Sequence, residues 1–170
     1  MATHAVGSFD VKLTPVALND QAADATLGRM SVDKQYYGDL QGTGKGEMLS
    51  AMTSVKGSAG YVAIERVNGT LHGRNGAFVL QHHGVMTRDA QQLSITVVPD
   101  SGTGDLVGLT GKLTIWTAES IPTTSSMKTS SSLSFPRFRP LAHGKIGQRI
   151  SCYRFSVIMP RGEPSGKWRR

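Results

Sequence analysis

Two residues in the stretch YVAIERVNGTLHGRNGAFVLQHHGVM, 61–86, have types and spacing that could do chemistry: Glu65 and His82. Asn75-Gly76 within it is the pair favoured in a type I′ hairpin turn, because both positions take positive φ, and alternating runs flank it. A two-residue turn at Arg74-Asn75 or at Asn75-Gly76 puts odd residues of the first strand on the same face as even residues of the second. One face then carries Tyr61, Ala63, Glu65, Val67, Gly69 and Leu71 with Phe78, Leu80, His82 and Met86. The other carries Arg66, Asn68, Thr70 and His72 with Val79, Gln81 and His83. The first face is apolar apart from Glu65 and His82. Burying either one unpaired costs several kcal/mol, so the two are expected to find partners. They form either a satisfied polar contact inside a barrel or an acid/base pair for catalysis, since burial raises a carboxyl pKa and histidine titrates near neutrality. Structural pairs perturb pKa values too, which puts the satisfied contact first. With the turn at Arg74-Asn75 they are diagonal neighbours; with the turn at Asn75-Gly76 they stand farther apart. Tyr61, Val67, Phe78, Leu80 and Met86, on the same face, are the candidate ligand-binding wall.

Other motifs carry less. His82-His83 suggests a metal, but adjacent strand residues point to opposite faces and cannot share one ion, and no second cluster of Cys, His or carboxylates accompanies them. No metal and no cofactor is expected, and His83 is expected to be solvated. GDLQGTGKGEM, 38–48, resembles a phosphate loop, yet Gly46 stands where Ser or Thr should follow Gly-Lys. GTGDLVG, 102–108, misses the dinucleotide spacing. Both read as turn glycines. Lys34, Tyr36 and Tyr37 read as a pocket mouth or an exposed strand end. Asn68-Gly69-Thr70 matches a glycosylation acceptor without a secretory context, and no Ser or Thr sits on a strand-to-helix elbow.

The elements that would position these residues are short alternating runs broken by glycine turns, with no sustained helical period. Strands are expected at Val6–Leu13, Leu27–Tyr36, Glu47–Val55, Tyr61–His72, Ala77–Met86, Gln91–Val98 and Lys112–Ile115. LNDQAADAT, 18–26, holds at most one helical turn. The fold class is all-β, an antiparallel meander closing on itself. One cysteine, Cys152, allows no internal disulfide, the start MATHAVGSFD has no signal-peptide pattern, and no apolar run could span a membrane, so a cytoplasmic protein is expected.

The net charge of +7 is unevenly spread: residues 1–115 hold nine Lys/Arg and ten Asp/Glu, net −1, and 116–170 hold ten and two, net +8. Both tryptophans, the cysteine and five of the seven prolines also fall after Ile115. The basicity therefore says nothing about the first part, and neither nucleic acid nor a membrane is expected as a partner.

TLGRMSVDKQYYGDLQGTGKGEML, VKGSAGYVAIERVNGTLHGRNGAFVLQHHGVM and LSITVVPDSGTGDLVGLTGKLTI together resemble a bacterial domain-of-unknown-function family, number 3224, almost continuously from Ala5 to Ile115. The resemblance implies a closed or nearly closed eight-stranded antiparallel barrel of allene-oxide-cyclase-like, or calycin-like, type. It implies no established activity and allows a homo-oligomer. Function transfers poorly at the level of fold, and Glu65 and His82 do not map by motif onto the cyclases' functional residues.

Members of that family end soon after such a strand, with a turn and one aromatic-rich strand, whereas this chain continues into IWTAESIPTTSSMK. An alternate reading frame over those codons permits L-D-S-G-K-H-S-Y-D-F-E-Y-E, which has that ending. The expectation is thus a barrel domain at 1–115 and a Ser/Thr-rich, then basic tail at 116–170, disordered or irregular and read out of frame. The alternative is a natural extension that binds an anionic partner. A barrel short of one strand exposes two edges and is expected to be poorly soluble unless the tail replaces it. RISCYRFSVIMP, 149–160, is the one tail segment with enough β-forming residues. The function expected is a small barrel that binds an apolar or amphipathic molecule or serves as a structural oligomer, with a cofactor-independent cyclase or isomerase using Glu65 and His82 as the alternative.

Overall fold

The computed structural model describes residues 2–18, 26–88, 90–116 and 146–158. Among these residues eight strands follow one another: β1 (Ala2–Pro15), β2 (Leu27–Gly38), β3 (Leu40–Met52), β4 (Ala59–Leu71), β5 (Arg74–Thr87), β6 (Ala90–Val97), β7 (Thr110–Trp116) and β8 (Ile146–Ile158). Each pairs antiparallel with the next, and β8 pairs with β1, so the sheet closes into a barrel without a free edge. Where side chains are described, inward residues alternate with outward ones along the strands, as closure demands. In β4, Ala63, Glu65, Val67 and Leu71 are buried while Val62, Ile64, Arg66 and Asn68 are exposed.

The alternation expected from sequence is present, with three differences. The first is β3, which begins at Leu40 rather than Glu47, so GTGKG lies within a strand and not in a turn. Gly42, Gly44 and Gly46 all face inward between Leu40 and Met48. A Cβ on Gly42 would overlap the Asn68 carbonyl, and one on Gly44 would overlap Glu65 Oε1. These glycines clear the inner wall for neighbouring chains.

The second is the β4–β5 turn, which is His72-Gly73, with φ of 49° and 78°. Leu71 pairs with Arg74, and Asn75-Gly76 belongs to β5. Asn75 Oδ1 accepts from Thr70 Oγ1 at 2.6 Å, and a Cβ on Gly76 would overlap the Thr103 carbonyl. Asn75-Gly76 thus serves a cross-strand bond and the close approach of the β6–β7 loop. Both candidate turns and the observed one share the same parity, so the face assignment stands unchanged.

The third concerns the segment after Ile115. Strand β8, from 146–158, closes the barrel, and Tyr153, Phe155 and Val157 are buried in its core. The barrel is therefore not confined to 1–115, and part of the segment expected to be an irregular tail is a strand. That strand overlaps 149–160, the one tail segment the sequence marks as able to form it, and starts three residues earlier. The remainder, 117–145 and 159–170, lies outside the described residues, as does most of 18–26.

The two ends of the barrel differ. At the end of the β2–β3 and β4–β5 turns, Leu40, Leu71, Phe78, Leu106 and Leu109 are fully buried. Tyr153 seals it: its hydroxyl accepts from the Leu40 N–H at 3.2 Å and can donate to the carbonyls of Leu40 at 3.1 Å or Tyr37 at 3.3 Å. At the other end Leu13, Met30, Tyr61, Met86, Leu93 and Ile115 are only partly buried.

Candidate functional site

Inside the barrel, among apolar side chains, three ionisable groups and a phenol meet. Glu65 comes from β4, Lys34 and Tyr36 from β2, and His82 from β5. Lys34 and Glu65 stand two strands apart, with β3 between them, a gap of roughly 10 Å at ordinary strand spacing. Gly44 pairs with both Lys34 and Val67, and Gly46 with both Val32 and Glu65, so the bridge lies over bare backbone. The even-spaced glycines make the ion pair possible.

Glu65 is 1 % exposed, yet both oxygens are occupied. Oε2 accepts from Lys34 Nζ at 2.6 Å and Oε1 from the Tyr36 hydroxyl at 2.8 Å. Lys34 Nζ also donates to the Tyr36 oxygen at 3.4 Å and lies 4.8 Å from the centre of the Phe9 ring, a cation–π distance. Phe9, Tyr36 and Tyr153 pack ring against ring beside it, with centroids 5.6–6.3 Å apart.

His82 Nε2 stands 3.1 Å from Glu65 Oε2, but not in line for a hydrogen bond. The contact is at most a bent, weak hydrogen bond, and Nε2 remains a buried ring nitrogen without an aligned partner. Its cross-strand neighbours are Ala63 and Ile95; beyond them Met48 and Leu113 continue an apolar ring around the barrel.

The electrostatics follow from this packing. Burial would push the Glu65 carboxyl up; the Lys34 charge, helped by His82, outweighs it and holds the carboxyl at about 2. Burial pushes the His82 imidazole below its usual value, Lys34 adds to this, and Glu65 opposes without reversing it. Burial and then Glu65 drive the Tyr36 phenol well up. Near neutral pH the interior holds a carboxylate ion-paired with Lys34, a neutral imidazole and a neutral phenol.

The two residues singled out from sequence are thus brought together. Glu65 pairs with Leu80 and Ala63 with His82, which makes Glu65 and His82 diagonal neighbours, though through a different turn than either one considered. Of the candidate wall, Val67, Phe78 and Leu80 are fully buried, while Tyr61 and Met86 lie at the partly buried end. The Tyr61 ring lies over Gly84, where any Cβ would overlap it, and burial pushes its phenol up to about 12. His83 is exposed on the outside.

Lys34 and Tyr36 are a correction, being interior residues rather than a mouth or an exposed strand end. Tyr37 alone faces out, its hydroxyl 3.3 Å from Asp10 Oδ2. The signal was available in the alternation Met30, Val32, Lys34, Tyr36, which places the lysine on the apolar face. Among the described residues no three His, Cys, Asp or Glu side chains gather as a metal site would require, and no helix is long and apolar enough to cross a membrane.

Comparison with known proteins returns the same architecture. Residues 5–128 match the family model described as "Protein of unknown function (DUF3224)", so the match continues past Ile115. The crystal structure of a protein of unknown function from that family, from Shewanella oneidensis MR-1, is 40 % identical, with a TM-score of 0.70. The alignment covers 95 % of this chain and 100 % of that one. No curated protein matches.

Proposed function

Because this chain belongs to the DUF3224 family, for which no activity is stated, we propose its function from the interior: the barrel binds a small apolar or amphipathic molecule. The observation that carries this reading is His82 Nε2, a buried polar atom without an aligned partner in an apolar ring. A ligand entering past Tyr61 and Met86 would meet an apolar wall first and this nitrogen at depth. Small-molecule pockets usually combine mostly apolar walls with few polar groups, as this interior does. The test is titration with an uncharged apolar dye, N-phenyl-1-naphthylamine. One dye per chain, with binding weakened at least tenfold by Ala63→Phe in a folded protein, is expected; dye binding that ignores the filled interior would sink the reading.

A second reading, a cofactor-independent cyclase or isomerase, draws support from the 3.1 Å approach of His82 to Glu65. A carboxylate held at about 2 is a weak base, so His82 would move the proton and Glu65 orient it. Loss of α-deuterium from a bound deuterated ketone, abolished in His82→Gln with binding retained, is its signature. Self-association draws support from Leu49, Val62 and Ile64, which lie together and half-exposed on the outer face of β3 and β4. The single cysteine supports a cytoplasmic setting. Neither nucleic acid nor a membrane surface has a role in this reading.

A further inference from the structure

We infer that the molecule held in the barrel presents an uncharged hydroxyl or carbonyl group, hydrogen-bonded to His82 Nε2. This rests on the reading of the barrel as a small-molecule binder and narrows the ligand class.

The other polar groups of the cluster are already occupied. Glu65 uses Oε1 for Tyr36 and Oε2 for Lys34, and the Tyr36 hydroxyl both donates to Glu65 and accepts from Lys34. Lys34 faces Glu65, Tyr36 and the Phe9 ring. Among the described residues, His82 Nε2 is the one fully buried side-chain nitrogen or oxygen without a hydrogen bond. One ligand atom would satisfy it.

Charge decides what kind of atom. Lys34 and Glu65 cancel, so the interior offers no net charge to offset the cost of stripping water from an ionic head. An anionic head at Nε2 would also sit close to the Glu65 carboxylate, which is 3.1 Å from that nitrogen. A cationic head would add a like charge beside Lys34 in a medium of low dielectric. An uncharged oxygen meets neither penalty. A hydroxyl matches either imidazole tautomer, accepting from Nε2–H or donating to a bare Nε2; a carbonyl matches the first.

The position of the nitrogen sets the length of the rest. Met86, at the partly buried end, is four residues along β5 from His82. Four strand residues, tilted as in a closed barrel, rise roughly 10 Å. A medium-length aliphatic chain fills that distance against Ile95, Leu93 and Tyr61.

The test is competition against N-phenyl-1-naphthylamine by 1-octanol, octanoate and octylammonium, with imidazole ¹⁵N resonances followed in parallel. 1-Octanol is expected to displace the dye at one-tenth or less of the concentration the charged probes require, and to shift the His82 Nε2 resonance. His82→Phe is expected to weaken 1-octanol about tenfold while dye binding persists. Equal or better competition by octanoate or octylammonium overturns the head-group assignment, as does 1-octanol binding that leaves the Nε2 resonance unmoved. A dye that binds while 1-octanol does not also overturns it, leaving the binding reading intact. Failure of the dye and of all three probes overturns the binding reading itself.

Discussion

Lys34 decides the state of Glu65. Burial alone would keep that carboxyl protonated; the ammonium 2.6 Å away keeps it charged. Removing the lysine leaves a carboxylate in the dry interior, the costly half of a broken buried pair. Lys34→Met is therefore expected to lower stability by about 3–5 kcal/mol. Lys34→Met combined with Glu65→Gln should cost clearly less, because the amide still accepts from Tyr36 and no charge is stranded. Urea unfolding of the three variants checks this, and simple additivity would contradict it. The same pair sets an acid limit. The Glu65 folded pKa, about 2, lies below its ordinary 4.5, so its contribution is full above 4.5 and is lost as pH falls toward 2. His82 is also depressed in the fold, so acidification below its ordinary 6.5 favours the unfolded chain, which takes up the proton first. Melting temperature should fall in two stages as pH drops, and His82→Gln should remove the upper one.

At the scale of the strand, β3 shows why local pattern can mislead. Glycine at 42, 44 and 46 reads as turn material, because nothing local says that the Glu65 carboxylate must lie over Gly44 and that the β4 backbone must crowd Gly42 and Gly46. The alternation of β4 and β5 was legible, since each carries its own apolar face, and so was the parity that brings Glu65 to His82. The turn was not: Asn75-Gly76 has the ideal residues, but β4 needs Leu71 opposite Arg74, and the β6–β7 loop needs Gly76 bare. Gly44→Ala is expected to cost about 1–3 kcal/mol by overpacking against Glu65. Much of that should return when Glu65→Ala is added, a coupling that a double-mutant cycle measures. At the actual turn, His72 takes a positive φ that suits asparagine better. His72→Asn should raise stability by about 0.5–1 kcal/mol in the same denaturant assay; a loss would mean that His72 has a partner role the turn geometry does not reveal.

At the scale of the molecule, closure depends on a strand that sequence separates from the rest. Tyr153, Phe155 and Val157 alternate legibly, but the 29 residues from 117 to 145 stand between β7 and β8, and no local rule joins strands so far apart. With β8 in place the described strands close the barrel, so only the break in composition and charge still speaks for a change of frame. A gene sequence unable to encode the alternate strand over codons 115–128 would remove that too. The structural weight of β8 can be gauged from its side chains. Burial of Tyr153, Phe155 and Val157 contributes roughly 5–9 kcal/mol at 1.5–3 each, comparable to the whole stability of a domain. Without β8 the Leu40 N–H loses the Tyr153 oxygen, and β1 and β7 both become open edges. A chain ending at Trp116 is therefore expected to aggregate and to show no cooperative melt. A separate peptide of residues 146–158 should restore the melt by adding itself as the eighth strand, and the same peptide with Tyr153→Ala should not. A truncated chain that stays monomeric and melts within a few degrees of the full one would show that the barrel closes by other means.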